Sequence, residues 1–189
     1  MKPSIFLDIL AVAEKLKCNT RHSWTSNGKH ESVADHSWRL ALMAMLVRDE
    51  YPELDMDKVI KMCLIHDLGE AFTGDIPCFE KKKEDESKEE KILNDWINTF
   101  PEPYKSEFIC FIQEMDERKT KEAMLYKALD NLEAVIQHDE ADITSWLPLE
   151  YDLQFTYGAD KVGFSTYTQE LKKEIDRRTR EKIDKAKEE

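Results

Sequence analysis

The sequence predicts an all-α fold in a single domain, and three observations support this prediction. Apolar residues recur at helical spacing along most of the 189 residues. The chain contains only five glycines and six prolines, which favours long helices joined by few tight turns. No segment shows the sustained alternation of apolar and polar residues that marks a half-buried strand. We therefore expect one domain over residues 1–189, with a core of about residues 3–157.

The first three predicted helices span about residues 4–17, 33–50 and 56–72. Each has apolar residues three and four positions apart, so that one face of the helix is buried. Ser32 and Asp35 resemble a capping box at the start of the second helix. The apolar faces consist of Ile5, Ile9, Val12 and Leu16 in the first helix, Leu40, Met43 and Val47 in the second, and Val59, Ile60, Cys63 and Leu64 in the third.

The remaining predicted helices span about residues 85–99, 103–116, 120–139 and 161–186. The mixed charges of residues 81–91 lead into the first of these and are typical of a solvated helix face. The last helix adds only a thin apolar seam to the domain. The apolar residues of the final two helices are Leu125, Leu129, Leu132 and Ile136, followed by Leu171, Ile175 and Ile183.

Three segments are predicted to be loops, at residues 18–32, 73–84 and 139–160. The first contains an Asn-Gly pair, and the second contains Gly74 and Pro77. The third is long for a loop, so we expect it to be packed or functional. Its aromatic residues are Trp146, Tyr151, Phe155 and Tyr157.

The charge and cysteine content exclude several classes of protein. A net charge of −12 argues against nonspecific nucleic-acid binding through a basic face. The four cysteines form no C-x-x-C pair, which suits reduced thiols and a cytoplasmic location. Asp8 and Glu14 interrupt the apolar N-terminal stretch, and no segment approaches the roughly 20 apolar residues of a membrane span.

Polar residues interrupt three of the apolar faces. His36 lies on the face of the second helix, the pair His66-Asp67 continues that of the third, and Asp130 lies beside that of the sixth. A lone histidine in such a position is more often a hydrogen-bonded core residue than a ligand, but a buried carboxylate needs a partner. Together the four side chains can converge on one divalent cation. Mixed nitrogen and oxygen ligation suits Mn, Fe, Co, Ni or Zn.

These residues support a family resemblance. His36, His66-Asp67 and Asp130 resemble the H…HD…D signature of the HD-domain metal-dependent phosphohydrolases. The segments ESVADHSWRLALMAM (31–45), CLIHDLGEAFTGDIP (63–77) and KALDNLEA (127–134) are similar to the HD-domain 5′-deoxynucleotidases, over most of residues 3–157. The resemblance implies a helical bundle around a metal site. It also implies removal of the phosphate from (deoxy)ribonucleoside 5′-monophosphates with one divalent transition metal ion.

Further site residues follow from the resemblance. Glu70 and Asp75 match the acidic residues of the family's extended HD motif, which implies catalytic roles. Glu70 is four residues beyond His66, so we expect it to face the same cavity and to move a proton. Arg21 and Trp24 match an upstream Arg and Trp at the phosphate and sugar end of the substrate pocket. These two residues are adjacent in some members of the family but are separated here.

Other interpretations stay open from the sequence. The substrate could be a deoxynucleoside triphosphate, a cyclic dinucleotide or a guanosine polyphosphate, although few basic residues surround the predicted ligands. Alternatively, the chain could be a non-catalytic helical scaffold. The family also implies a homodimer, for which the aromatic segment 146–157 is a candidate interface. Lys127 could pair with a site carboxylate or be exposed. No role follows for His22, His30 or His138.

Overall fold

The computed structural model describes residues 1–188, and Glu189, the last residue of the predicted domain, lies outside them. Helices dominate these residues, which confirms the predicted all-α class. Short 3₁₀ segments follow the first two helices and precede the last two. The α-helices are α1 (Pro3–Ala13), α2 (Val33–Leu46), α3 (Met56–Ile65), α4 (Glu70–Thr73), α5 (Lys83–Ile97), α6 (Tyr104–Glu117), α7 (Lys121–Glu140), α8 (Glu150–Thr156) and α9 (Thr166–Glu188).

Helix α7 is the centre of the bundle. It contacts α2, α3, α6 and α9, and most of its side chains are buried. Leu125, Leu129 and Leu132 are fully buried along it, as the sequence predicts. The C-terminal helix α9 closes a smaller second core, in which Ile175 packs near Leu132 and Val135. A polar residue placed on α7 is therefore surrounded by other elements.

The start of α2 is fixed by the predicted capping box. The Asp35 amide donates to Ser32 Oγ at 3.1 Å, and the Ser32 amide donates to Asp35 Oδ2 at 3.0 Å. These bonds satisfy two amides that a helix N-terminus otherwise leaves unpaired. The helix direction is thereby set four residues before His36.

A two-stranded antiparallel sheet occupies part of the predicted loop 18–32, so that prediction was incomplete. Strand β1 is Thr20–Trp24 and strand β2 is His30–Ser32. Gly28 has a φ of 78° in the turn between them, a conformation that costs glycine little. The strands escaped prediction because they are short and carry no apolar alternation.

The prediction of one continuous helix over residues 56–72 was wrong, because the structure has two helices there. Helix α3 ends at Ile65, and α4 begins only at Glu70 after a tight turn. The turn is held by two bonds between residues three apart, from the Leu68 amide to the Ile65 carbonyl and from the Glu70 amide to the Asp67 carbonyl. Within it, His66 Nε2 lies 2.9 Å from Asp67 Oδ2.

Two further boundaries differ from the prediction. The expected loop 139–160 contains helix α8, and α9 begins at Thr166 rather than at residue 161. The physical reason lies in α7 and α9, which supply the partners of this segment. Gln154 donates to the carbonyl of Val135, and Lys172 donates to the carbonyl of Gln154. These contacts are distant in sequence, so local periodicity does not reveal them.

The surface carries apolar side chains on the first two helices. Phe6 and Leu7 on α1 are 50% and 63% exposed, and Trp38 and Leu46 on α2 are 64% and 74% exposed. By contrast, Trp146 in the aromatic segment is buried. Within the described chain, no helix combines the length and apolarity required to cross a bilayer.

Candidate metal centre and its surroundings

The four predicted metal ligands lie together at the centre of the bundle. His36 comes from α2, His66 and Asp67 from the turn after α3, and Asp130 from α7. The Nε2 atoms of the two histidines are 3.3 Å apart. Asp130 Oδ1 is 3.0 Å from His36 Nε2 and 3.5 Å from His66 Nε2. Asp67 Oδ2 is 3.9 Å from His36 Nε2. We call these four residues the central cluster.

The partners of the two imidazoles determine what faces the middle of the central cluster. His66 Nδ1 lies 2.9 Å from the carbonyl oxygen of Cys63, which can only accept, so this nitrogen donates. His36 Nδ1 contacts the buried carboxylate of Glu133 in the same way. In the neutral tautomers, both Nε2 lone pairs therefore point at each other and at carboxylate oxygens. This arrangement is repulsive unless a cation lies among the four groups.

The electrostatic field at the central cluster also favours a cation. Burial raises the pKa of Asp67, but the positive charges of His66, His36 and Arg21 outweigh it and lower that pKa well below its usual range. Burial lowers the pKa of His66, and Asp67 and Asp130 more than reverse this, raising it to about 10. The two carboxylates thus hold positive charge at the position of His66. The donor set and its field fit a divalent transition metal.

Glu70 and Asp75 adjoin the central cluster on the segment that follows it. Glu70 is only 4% exposed, and its Oε2 atom is buried without a hydrogen bond. Burial, together with the charges of Asp67 and Asp75, raises the pKa of Glu70 to about 9. Gly74, with a φ of 75°, ends α4 and redirects the chain to Asp75. The segment therefore presents two carboxyl groups beside the candidate ligands.

Arg21 on β1 connects these carboxylates. Its Nη1 atom lies 3.4 Å from Asp67 Oδ2 and 3.8 Å from Asp75 Oδ1. Its Nε atom lies 3.2 Å from Glu31 Oε2 on the neighbouring strand. Glu31 is 1% exposed, and burial with the nearby charge of Glu133 raises its pKa to about 7. Arg21 thus holds several acidic groups next to the candidate metal position.

Trp24 is placed differently from the other predicted site residues. Its ring stacks on His30 of the opposite strand with 3.6 Å between ring centroids. Its carbonyl accepts a hydrogen bond of 2.7 Å from Gln137 of α7. The structure brings Arg21 to the central cluster, whereas the described contacts of Trp24 are with the hairpin and α7.

A cavity of about 320 Å³ opens beside His66 and Asp67. Three basic side chains line it, Lys81, Arg118 and Lys127, and Lys127 Nζ lies 2.6 Å from Asp130 Oδ2. The expectation that few basic residues surround the ligands was therefore wrong. The fold brings Lys81 and Arg118 to this cavity, whereas Lys127 lies three residues before Asp130 on α7 and pairs with it, which was one of the two outcomes left open for it. Besides Asp67, four carboxylates line the same cavity: Glu86, Glu89, Glu90 and Asp116.

Sequence reasoning missed two acidic residues that support the site. Glu133 is fully buried and contacts both His36 Nδ1 and Arg39 Nε, the latter at 2.5 Å. It lies one helical turn after Asp130, and this spacing on a buried face was the available signal. Glu31 gave no comparable signal, because its partner Arg21 depends on the hairpin register.

Comparison with known proteins identifies the family of this chain. The profile of a family described as HD domain matches residues 13–172. The 5′-deoxynucleotidase HDDC2 of Dictyostelium discoideum is 35% identical over 144 residues, covering 71% of this chain and 76% of that protein. The Homo sapiens protein of the same name is 30% identical over 138 residues, covering 71% of this chain and 67% of that protein.

Solved structures show the same fold. A protein from Magnetospirillum magnetotacticum MS-1, described as a predicted metal-dependent phosphohydrolase, superposes with a TM-score of 0.74 at 25% identity. The match covers 93% of this chain and 95% of that one. A conserved hypothetical protein from Pyrococcus furiosus superposes with a TM-score of 0.69 at 30% identity, covering 90% and 99% of the two chains.

Proposed function

The chain belongs to the HD domain family, and from that premise we propose that it is a metal-dependent 5′-deoxynucleotidase. It removes the phosphate from (deoxy)ribonucleoside 5′-monophosphates, as the names of its curated relatives suggest. One observation carries the proposal. Two imidazole lone pairs and two carboxylates face one point, and the unpartnered carboxyl group of Glu70 lies nearby.

We propose that His36, His66, Asp67 and Asp130 hold one divalent transition metal ion, such as Mn, Co, Zn, Ni or Fe. Such an ion, when bound, lowers the pKa of a water molecule and stabilises charge that develops on a phosphoryl group. The chain keeps its two imidazoles oriented for this purpose. Cys63 and Glu133 fix the Nδ1 protons and leave both Nε2 atoms free to bind.

The neighbouring residues have separate proposed roles. Glu70, buried and without a hydrogen bond at Oε2, moves a proton to or from the reacting groups. Asp75 orients the sugar end of the substrate. Arg21 binds a phosphate oxygen with its planar guanidinium while it holds Asp67 and Asp75 in place. We retain Trp24 as a contact to the sugar or base, supported by the family motif alone.

The cavity of about 320 Å³ beside His66 and Asp67 is at the lower end of the range of small-molecule sites. Arg21 and Asp75 line a separate cavity of about 90 Å³, so the proposed substrate contacts both cavities. Lys81, Arg118 and Lys127 could hold a phosphate, but the four carboxylates that line the same cavity oppose a long polyphosphate. A monophosphate therefore fits better than a triphosphate, which stays the principal alternative.

The experiment is a phosphate-release assay on a panel of substrates. Protein freed of metal would be given Mn²⁺, Co²⁺, Zn²⁺ or Ni²⁺ in turn, with deoxy- and ribonucleoside monophosphates as substrates. Deoxynucleoside triphosphates, cyclic dinucleotides and guanosine polyphosphates complete the panel. We expect the highest kcat/KM for a deoxynucleoside monophosphate. Faster hydrolysis of a triphosphate would favour the alternative, and inactivity with every ion would favour a scaffold.

We also propose a homodimer and a cytoplasmic location. The exposed apolar side chains of α1 and α2, among them Phe6, Leu7 and Leu46, provide a better interface than the buried Trp146. Four free cysteines, with no pair joined, suit a reducing compartment. We propose further that residues 1–189 fold as one domain, since α9 packs against both α7 and α8.

A further inference from the structure

A second group of metal-binding side chains lies outside the central cluster. His22 of β1, His138 of α7 and Glu150 of α8 bring three potential ligand atoms within 4.8 Å of one another. We call these three residues the peripheral cluster. His22 Nε2 is 3.0 Å from Glu150 Oε1, and His138 Nε2 is 3.1 Å from the same oxygen. None of the three belongs to the extended HD motif.

These spacings are those of ligands that share an ion. Ligand atoms about 2.0–2.1 Å from a tetrahedral zinc ion lie about 3.3 Å from one another. The corresponding distances within the central cluster range from 2.9 to 3.9 Å. The peripheral cluster therefore resembles the central one in the type of its donors and in their separation. Two histidines and one carboxylate are also a common set of protein ligands for zinc.

The hydrogen bonding of the peripheral cluster is incomplete without a further partner. His22 Nε2 is buried and makes no hydrogen bond, although Glu150 Oε1 is only 3.0 Å away. The direction of its lone pair or N–H therefore misses that oxygen. A nitrogen that points at a shared ion behaves in this way. The ion lies to one side of the line that joins the two ligand atoms, so the nitrogen does not point directly at the oxygen.

Packing holds the ligands of the peripheral cluster in place. The His138 side chain is 8% exposed, and the Trp146 ring packs against it with 4.8 Å between ring centroids. The second oxygen of Glu150 accepts a hydrogen bond from the Leu147 amide, which holds the carboxylate in place.

We propose that the peripheral cluster is a second metal site, distinct from the candidate catalytic centre, that takes a transition metal ion such as Zn²⁺. The ion is held by His22, His138 and Glu150. It links β1 with α7 and α8, and β1 is far from both helices in the sequence. The three side chains line a cavity of about 90 Å³, which Arg21 and Asp75 also line.

The test is metal stoichiometry on the full chain. Protein stripped of metal is loaded with Zn²⁺, freed of excess ion and measured by mass spectrometry. His138→Ala and Glu150→Gln should each lower the zinc content by one equivalent per chain. Asp67→Asn removes a ligand of the central cluster and should leave the peripheral zinc in place, so that failure of the proposed function is distinguished from failure of this inference.

Two further variants keep the test decisive if His138→Ala does not fold. His22 has a side chain that is 30% exposed on β1, so His22→Ala should fold and still lose one equivalent of zinc. His30→Ala removes a histidine that stacks on Trp24 and should keep the wild-type zinc content. Zn²⁺ should also raise the Tm of the His30→Ala protein more than that of the His22→Ala protein. An unchanged zinc content in His22→Ala overturns the proposal.

Discussion

The central and peripheral clusters contain similar ligands but differ in what lies behind them. In the central cluster, His36 Nδ1 contacts Glu133 and His66 Nδ1 contacts the carbonyl of Cys63. In the peripheral cluster, His138 Nδ1 is buried without a hydrogen bond. The partners of the Nδ1 atoms therefore determine the imidazole tautomers in the central cluster, whereas in the peripheral cluster the tautomer of His138 is left undetermined.

The difference explains why only one cluster is suited to catalysis. The Nδ1 contacts fix both rings so that the Nε2 atoms point at the centre before any ion arrives, and the central cluster is therefore preorganised. It also has a cavity of about 320 Å³ and the carboxyl group of Glu70 beside it. The peripheral cluster has neither an unused carboxyl group nor a comparable cavity. Its metal would stabilise the fold and not react.

The largest expected effect comes from the ligands and the neighbouring acid of the central cluster. Asp67→Asn should abolish phosphate release and lose the central metal, because it removes a charged ligand. Glu70→Ala should lower kcat by about 10²–10⁴-fold, the usual contribution of a general acid or base, and should keep the metal. Steady-state kinetics and metal analysis of the same preparations separate the two results.

Asp116→Asn is the control for this pair, since Asp116 lines the same cavity but is not one of the proposed ligands. It should keep most of the activity and all of the metal. If Glu70→Ala were as active as the wild type, the proton-transfer role of Glu70 would be wrong. The carboxyl group beside the central cluster would then not distinguish it from the peripheral cluster.

The second effect concerns the hydrogen-bond partner of a ligand's Nδ1 atom, which His36 has in Glu133 and which His138 lacks. Glu133→Gln should weaken metal binding at the central cluster by about 10–100-fold, as loss of such partners commonly does. The reason is that His36 loses the carboxylate that holds its Nδ1 proton. Glu140→Gln is the matched control, because Glu140 also pairs with Arg39 but is exposed and does not contact His36. Chelator competition would measure the metal affinity of both variants. Equal affinities would show that the contact between Glu133 and His36 does not strengthen metal binding at the central cluster.

The sequence was sufficient to predict the helical fold and to identify the residues that the structure brings together in the central cluster. His36 and Asp130 interrupt apolar faces, and such interruptions are local features that spacing reveals. The hairpin and helix α8 were not predictable in the same way. Thr20–Trp24 pairs with His30–Ser32 through backbone bonds, and α8 depends on α7 and α9 for its partners.

The same distinction applies to the supporting and peripheral residues. Glu133 lies one turn from Asp130 and could have been found from that spacing. His22 and Glu150 are 128 residues apart in the sequence, and only the packing of β1 against α7 and α8 makes them neighbours. A cluster of this kind has no signature in the sequence until the fold is known.

The third effect compares the affinities of the two clusters directly. Because His138 Nδ1 has no partner, the peripheral metal should leave at about 10-fold lower chelator concentration than the central one. Protein loaded with zinc at both clusters should therefore lose one equivalent first and keep its activity until the second is lost. Simultaneous loss of zinc and activity in a single step would show that the outer partners do not set the affinities.

The smallest expected effect tests how α9 supports the peripheral cluster. Lys172 is buried, and its ammonium donates to the carbonyls of Gln154 and Phe155, at 3.0 and 3.2 Å, in the last turn of α8. Those carbonyls have no partner within the helix, so Lys172→Met should lower the free energy of unfolding by about 1–2 kcal/mol. It should also weaken the peripheral metal, because Glu150 lies on α8, and leave kcat unchanged.

Lys173→Met is the control for this last variant, since Lys173 is exposed on the same helix. Denaturant unfolding of the metal-free proteins gives the stability difference, and zinc titration of each variant gives the affinity. A loss of stability without a loss of peripheral zinc would mean that β1 and α7 hold His22 and His138 in place without help from α8. A fall in kcat would mean that α9 also positions the central cluster, through the second core in which Ile175 packs near Leu132.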